Sequence, residues 1–277
     1  MLKLFGKKKS KERLSEVLQG CDPPCFPQGV MRLMGMLRDP ETDVGDLAQA
    51  LQWDPQLVIR ILKLVNSSAF GLRRPVNDVQ HAVTMMGRSQ LEHMVLSVAV
   101  KTNLPSAPAP GFEAGRFWHT SFSRATVAKA FASKLHPAEE ARSFTGGLLQ
   151  DMAIPLLAHA RSAAYGPVLE HWHEAGETEL HVLEKQALGW THDEVAGHLA
   201  VEWELPDSLT EVIHGHHTET ELLPALKLVA IQRETQQEHG IEALLEEGRS
   251  RYGLDPDWAR QAIVDADEKA RELAQTL

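Results

Sequence analysis

The chain has 277 residues, enough to bury a sizeable core in one domain or two. Its formal net charge of −10 disfavours general nucleic-acid binding, which needs clustered positive charge. No apolar run reaches the roughly 18 residues that span a bilayer, and no apolar segment follows the basic start, so neither an anchor nor a secretory signal is expected.

Residues 1–19 read as a basic flexible tail, with Lys3, Lys7, Lys8, Lys9, Lys11 and Arg13 solvated or touching an anionic surface beside Leu2, Leu4 and Phe5. Cys21 and Cys25 bracket Asp-Pro-Pro and are expected to be ordinary thiols of a cytoplasmic protein. After the extended stretch Pro23 to Pro27, Val30, Leu33, Met34 and Leu37 predict a helix, and residues 43–52 a second, short one. Asp54-Pro55 is a helix start: the carboxylate caps free amides and proline suits the first helical position. Leu57, Ile61, Leu64 and Val65 then form one apolar stripe, which Asn66-Ser67-Ser68 ends by competing for backbone hydrogen bonds. The next helix is expected from Asn77 or Asp78, carrying Val79, Val83 and Met86 inward. Leu91, Met94, Val95 and Val98 mark another.

Proline density over residues 105–111 predicts an exposed linker, a seam between helical halves at 20–104 and 112–222. Residues 223–277 are charged and helical in pattern, an extension expected to pack on the core rather than a coiled-coil arm. Alternation of period two is nearly absent, so the fold class is all-α.

Several polar residues stand on apolar helical faces. His119 lies one turn before Phe122, and Asp151 shares a stripe with Leu148, Met152 and Leu156, although Pro155 must kink or end that helix. His192 aligns with Val195, Ala196 and Leu199, and Thr191 with Glu194 forms a capping box that sets it in a first turn. His216 and His217 continue the face of Leu209, Val212 and Ile213. Imidazoles and a carboxylate directed inward from several helices suit a metal site in a bundle core. Otherwise they must be paired by hydrogen bonds, because burying them unpaired is costly. The other histidines, His136, His159, His171, His173, His181, His214 and His239, have no such constellation, and Arg73-Arg74 reads as a solvated loop. No phosphate-binding glycine loop and no serine elbow is present.

The wording "DPQLVIRILKLVNSSAFG", with the Asn-Ser pair after a Leu-rich helix as its most specific part, resembles the HDOD family, a divergent branch of the HD phosphohydrolases. The resemblance runs over roughly residues 20–222. "FWHTS" is similar to the superfamily's first-histidine segment at His119, and "GGLLQDMA" to its His-Asp segment, with Gln150 in the histidine's place and Asp151 retained. "LGWTHDEVAGHLAVEWELP" and "IHGHH" supply His192, His216 and His217, while Ile231 stands where a late aspartate is usual. Thr218-Glu219-Thr220 follows His217, so the Gly-Tyr-Pro signature of the cyclic-dinucleotide-cleaving branch is absent.

With two expected ligands gone, the resemblance implies a non-catalytic bacterial signal-transduction module without a cofactor, binding a signalling protein or a small ligand through a degenerate cleft. The alternative is a metal-dependent phosphohydrolase acting on a nucleotide or cyclic dinucleotide. A remnant set of Asp151, His192, His216 and His217, with His119 as a fifth ligand or a support, would suit one Zn, Fe or Mn ion. The competing expectation is that the same residues are hydrogen-bonded core groups.

Overall fold

A computed structural model describes residues 6–52, 54–72, 74–174, 178–218, 223–232 and 237–276. Among them there is no strand, only an isolated bridge between Ala109 and Phe112. Leu2, Leu4, Phe5, Arg73, Glu219 and Thr220 lie outside the described residues, as does the side chain of His239.

The solvated-tail expectation fails from Lys7 onwards. Helix α1 spans Lys7–Val17, and Leu14, Val17 and Leu18 are buried, an i, i+3, i+4 stripe that the lysine run obscures. Helices α2 (Gln28–Arg38), α3 (Val44–Gln52) and α4 (Pro55–Val65) follow. Asp54 caps α4 by accepting from the Leu57 amide at 3.0 Å, with Pro55 at the first turn. At its other end Asn66 accepts from the Val76 amide at 2.7 Å and donates to the Val76 carbonyl at 2.8 Å. One side chain thereby closes the connection to α5 (Val79–Met86), which Asp78 caps.

Helix α6 (Arg88–Asn103) ends at the proline-rich stretch, and α7 (Ala114–Leu135) begins after it. The stretch is exposed only in its middle, because Leu104 and Phe112 are buried at its two ends. Gly111 has φ +69°, and a Cβ there would sit 2.6 Å from the Leu169 Cβ, so only glycine allows the turn to lie this close.

The centre of the molecule is α7, buried on nearly every side. One face joins a core that runs from Leu14 to Leu273 and includes residues of both proposed halves. Val127, Ala128, Phe131 and Ala132 form a second core with α14 (Pro224–Ala230), α15 (Gln237–Tyr252) and α16 (Pro256–Thr276). Between α7 and α14 lie α8 (Glu140–Leu149), α9 (Ala153–Ala160), α10 (Ser162–Glu174), α11 (Leu180–Leu188), α12 (His192–Glu202) and α13 (Asp207–Gly215). Gly147 lets α8 approach α7 closely: a Cβ there would sit 2.9 Å from the Arg124 carbonyl oxygen. That contact fixes the spacing between Arg124 on α7 and the residues just after α8. No helix among the described residues is long and apolar enough to cross a membrane.

Candidate metal centre

Asp151 lies in the turn that separates α8 from α9, so the stripe expected through Met152 and Leu156 is broken there. Pro155 falls in the first turn of α9, where a missing amide costs little. His192 opens α12 behind the Thr191–Glu194 capping box, and His216 and His217 follow directly on α13. Three chain breaks thus deliver four polar side chains to one point.

The contacts are close. His192 Nε2 is 3.3 Å from His216 Nε2 and 3.1 Å from His217 Nε2. Asp151 Oδ1 lies 3.4 Å from His192 Nε2 and 3.3 Å from His216 Nε2. Ligand atoms of His192, His216 and His217 lie within 4.8 Å of one another, close enough to converge on one ion, and Asp151 Oδ1 adjoins two of the three rings. His192, His216 and Asp151 are buried and His217 is half-buried.

The outer ring nitrogens show which atoms are free. His192 Nδ1 meets Glu184 Oε2 at 2.8 Å, and the His192 amide donates to the same oxygen at 2.8 Å. Glu184 is fully buried and also accepts from the Tyr165 hydroxyl at 2.5 Å. His216 Nδ1 donates to the Ile213 carbonyl at 2.8 Å, because a carbonyl can only accept. With both Nδ1 atoms engaged, the Nε2 atoms of His192 and His216 are the ones turned toward each other and toward Asp151 Oδ1. A carboxylate behind the outer nitrogen of a histidine, as Glu184 is behind His192, is the usual support of a metal ligand.

The charges around the cluster pull its members in different directions. Burial would raise the Asp151 carboxyl, but the Arg124 guanidinium and hydrogen bonds from His192 and His216 hold it well below the ordinary carboxylate range. Burial opposes a charge on His192, yet Glu184 and Asp151 outweigh it and raise the imidazole above its ordinary value. Burial, then the neighbouring His216 and His192, push His217 far down.

His119 is not brought to this cluster. Its Nε2 lies 3.2 Å from Asp267 Oδ1 on α16, in a separate cavity of about 280 Å³. Five residues along a helix turn the side-chain direction by about 140°, so α7 presents Arg124 to Asp151 instead. Gln150 is buried with neither amide atom hydrogen-bonded, and it supplies no contact to the cluster. Ile231 caps the end of α14, and the next residue, Gln232, turns its carbonyl to Arg124.

The sequence did not single out Arg124, Glu184 or His181, whose ring stacks on His217 at 4.2 Å between centroids. A signal existed for Glu184, which recurs at i+4 from Leu180 on an apolar face. His173 is half-buried, with Nε2 3.0 Å from the Gly111 carbonyl, and Trp172 beside it is buried.

Two spaces adjoin the cluster. A small pocket of about 20 Å³ touches Arg124, Asp151, His192, His217 and Gln232. Beside it, sharing Glu179, His217 and Ala230, an open cleft of about 220 Å³ reaches His216 and is bordered by Lys227, Ile231 and Arg251.

The HDOD domain family model matches residues 24–219. The chain belongs to the HDOD family. The crystal structure of an HDOD domain protein of unknown function from Geobacter sulfurreducens is 22% identical, with a TM-score of 0.70 over 97% of this chain and 99% of that one. A Shewanella amazonensis protein, provisionally titled a phosphohydrolase, is 20% identical, with a TM-score of 0.76 over 98% of this chain and 100% of that one. A Marinobacter aquaeolei protein, provisionally titled a signal transduction protein, is 19% identical, with a TM-score of 0.72 over 100% of this chain and 67% of that one. These likenesses establish a shared HDOD fold. A Treponema pallidum protein described as uncharacterized is 26% identical over 200 residues, which are 71% of this chain and 38% of that protein. The HDOD chain therefore spans well under half of that relative.

Proposed function

We propose that this HDOD protein is a non-catalytic signal-transduction module whose histidine cluster holds one divalent metal ion as a structural or sensing element. The observation that carries this is the convergence of His192 and His216 Nε2 on Asp151 Oδ1 while both Nδ1 atoms are engaged elsewhere. The sequence by itself leaned toward a hydrogen-bonded core, with bound metal as the second reading. What supports metal is that ligand atoms of three histidines meet within 4.8 Å, with Glu184 behind one of them. An all-nitrogen and oxygen set of this kind suits Zn, Fe or Mn.

Regulation is favoured over hydrolysis by what surrounds the ion. Gln150 makes no hydrogen bond through its amide and Ile231 offers no donor, so neither supplies a ligand for a second metal. The open cleft by Lys227 and Arg251 is where a small ligand or a partner segment would meet the ion's histidines. The name of the Marinobacter relative and the longer Treponema relative agree with a module working within larger signalling proteins.

The test is elemental mass spectrometry on protein purified without added metal, beside His216→Ala/His217→Ala. One equivalent in the wild type and none in the variant is expected. No metal in either, even after Zn, Fe or Mn is offered, would overturn the metal reading. Metal-dependent phosphodiester turnover abolished by Asp151→Ala would overturn the non-catalytic one.

A further inference from the structure

We infer that the pocket between α7, α15 and α16 is a binding site for a small uncharged heterocycle, a nucleobase or a nucleoside without phosphate. The inference does not rest on the metal reading, because this pocket shares only Gln232 with the small one at the histidine cluster.

The pocket measures about 280 Å³. Ligand pockets run from roughly 300 Å³ upward, so one ring with or without a sugar suits this space and a dinucleotide does not. Its walls differ in character. Helix α7 contributes the polar side chains of His119, Thr120 and Ser123, whereas α15 and α16 contribute Ile241, Ile263 and Val264. Val264 is 52% exposed, so the pocket opens to solvent along that edge. An apolar wall beside a polar one fits a flat ring, whose faces lie on carbon and whose edge carries N–H and C=O groups.

The charges exclude other ligands. Asp267 Oδ1 lies 3.2 Å from His119 Nε2, and Oδ2 pairs with Arg271. The guanidinium in the lining is thereby engaged, and exposed Glu268 adds a second carboxylate at the rim. A phosphate or carboxylate ligand would face like charge there. An amine finds no inward carboxylate free, since both Asp267 oxygens are taken. Among the described residues, the group of side chains that could hold a metal ion lies at the histidine cluster and not in this pocket.

A neutral ligand that exchanges hydrogen bonds remains, and Gln232 is held in place to meet one. Its carbonyl accepts from Arg124 at 3.0 and 2.6 Å, and its Nε2 donates to Ser123 Oγ at 2.7 Å. Oε1 of the same amide is buried with no hydrogen-bond partner among the described residues, a cost that a donor removes. The edge N–H of a base supplies that donor. Ser123 accepts from Gln232 and keeps a hydroxyl proton to give to a base carbonyl or ring nitrogen.

Calorimetric titration of the full-length protein with adenosine, guanosine, cytidine and uridine, and with the corresponding monophosphates, tests the inference. At least one nucleoside is expected to bind, and its monophosphate to bind roughly tenfold or more weakly, because the added charge meets Asp267 and Glu268. Val264→Trp fills the pocket from its exposed edge, leaves the core untouched, and is expected to weaken binding roughly tenfold or more. Gln232→Leu removes the unpartnered acceptor and is expected to weaken it roughly fivefold or more. The His216→Ala/His217→Ala protein is expected to bind the nucleoside as the wild type does. No binding by any of the four nucleosides overturns the inference, as does a monophosphate that binds as tightly as its nucleoside. Wild-type affinity in a folded Val264→Trp or Gln232→Leu protein also overturns it, and binding that disappears with the two histidines places the nucleoside at the cluster instead. The metal reading stands or falls separately, on metal content.

Discussion

Glu184 holds His192 by two bonds to one oxygen, from the ring Nδ1 and from the backbone amide, each 2.8 Å long. The pair fixes the tautomer and the rotation of the ring together. Glu184→Gln keeps the shape but weakens acceptance at that oxygen, and metal affinity is expected to fall about 10–100-fold. Competition against a fluorescent chelator measures it. Unchanged affinity would show that Glu184 only fills space.

Gly147 sets the approach of α8 to α7. A methyl group there meets the Arg124 backbone at 2.9–3.1 Å, atoms that cannot rotate away. Gly147→Ala is expected to cost about 1–3 kcal/mol in urea unfolding. It should also lower metal affinity, because Arg124 and Asp151 are drawn apart. Full stability with full affinity would refute the proposed spacing role.

Asn66 has the opposite profile. Its two bonds to Val76 belong to the loop after α4, and none reaches the histidine cluster. Asn66→Ala leaves an amide and a carbonyl of Val76 unpaired, for an expected loss of about 2–3 kcal/mol. Asn66→Asp, which can still accept but not donate, should lose about half of that. Metal content of the folded fraction should stay at the wild-type level in both, and a drop would tie this motif to the site.

His198 gives the fold an acid limit. It contacts Ser10 of α1 at 3.2 Å, and burial, then His214 and Arg13, lower its ring from 6.5 to about 4. The unfolded chain protonates this histidine first as pH falls, so the folded state loses stability between pH 6.5 and about 4. The expected loss is about 1–2 kcal/mol, less than the full shift implies because solvent reaches part of the ring. Thermal melts of wild type and His198→Gln over that window check it: the difference between them should shrink or reverse as pH drops. A constant difference would rule out His198 as the titrating group.

Much of the fold was legible because it depends on short-range chemistry. The Asp54 cap, the α4 stripe and the Thr191–Glu194 box each involve residues within about two turns of one another, and they stand as the sequence predicts. Asp151, His192, His216 and His217 could be picked out for the same reason, as polar side chains interrupting apolar faces. The sequence misjudged α1, where charge density masked a three-residue apolar stripe, and it misplaced His119 by about 140° of helix turn. Residue spacing could not show that a buried arginine on α7 would meet an aspartate 27 residues on, or that a backbone carbonyl 108 residues away would brace it. Those partners are chosen by how closely α7 and α8 pack and by where α14 ends. Periodicity told which side chains turn inward; only the tertiary packing decided which of them share one oxygen, because that depends on tenths of an ångström between helices far apart in the chain.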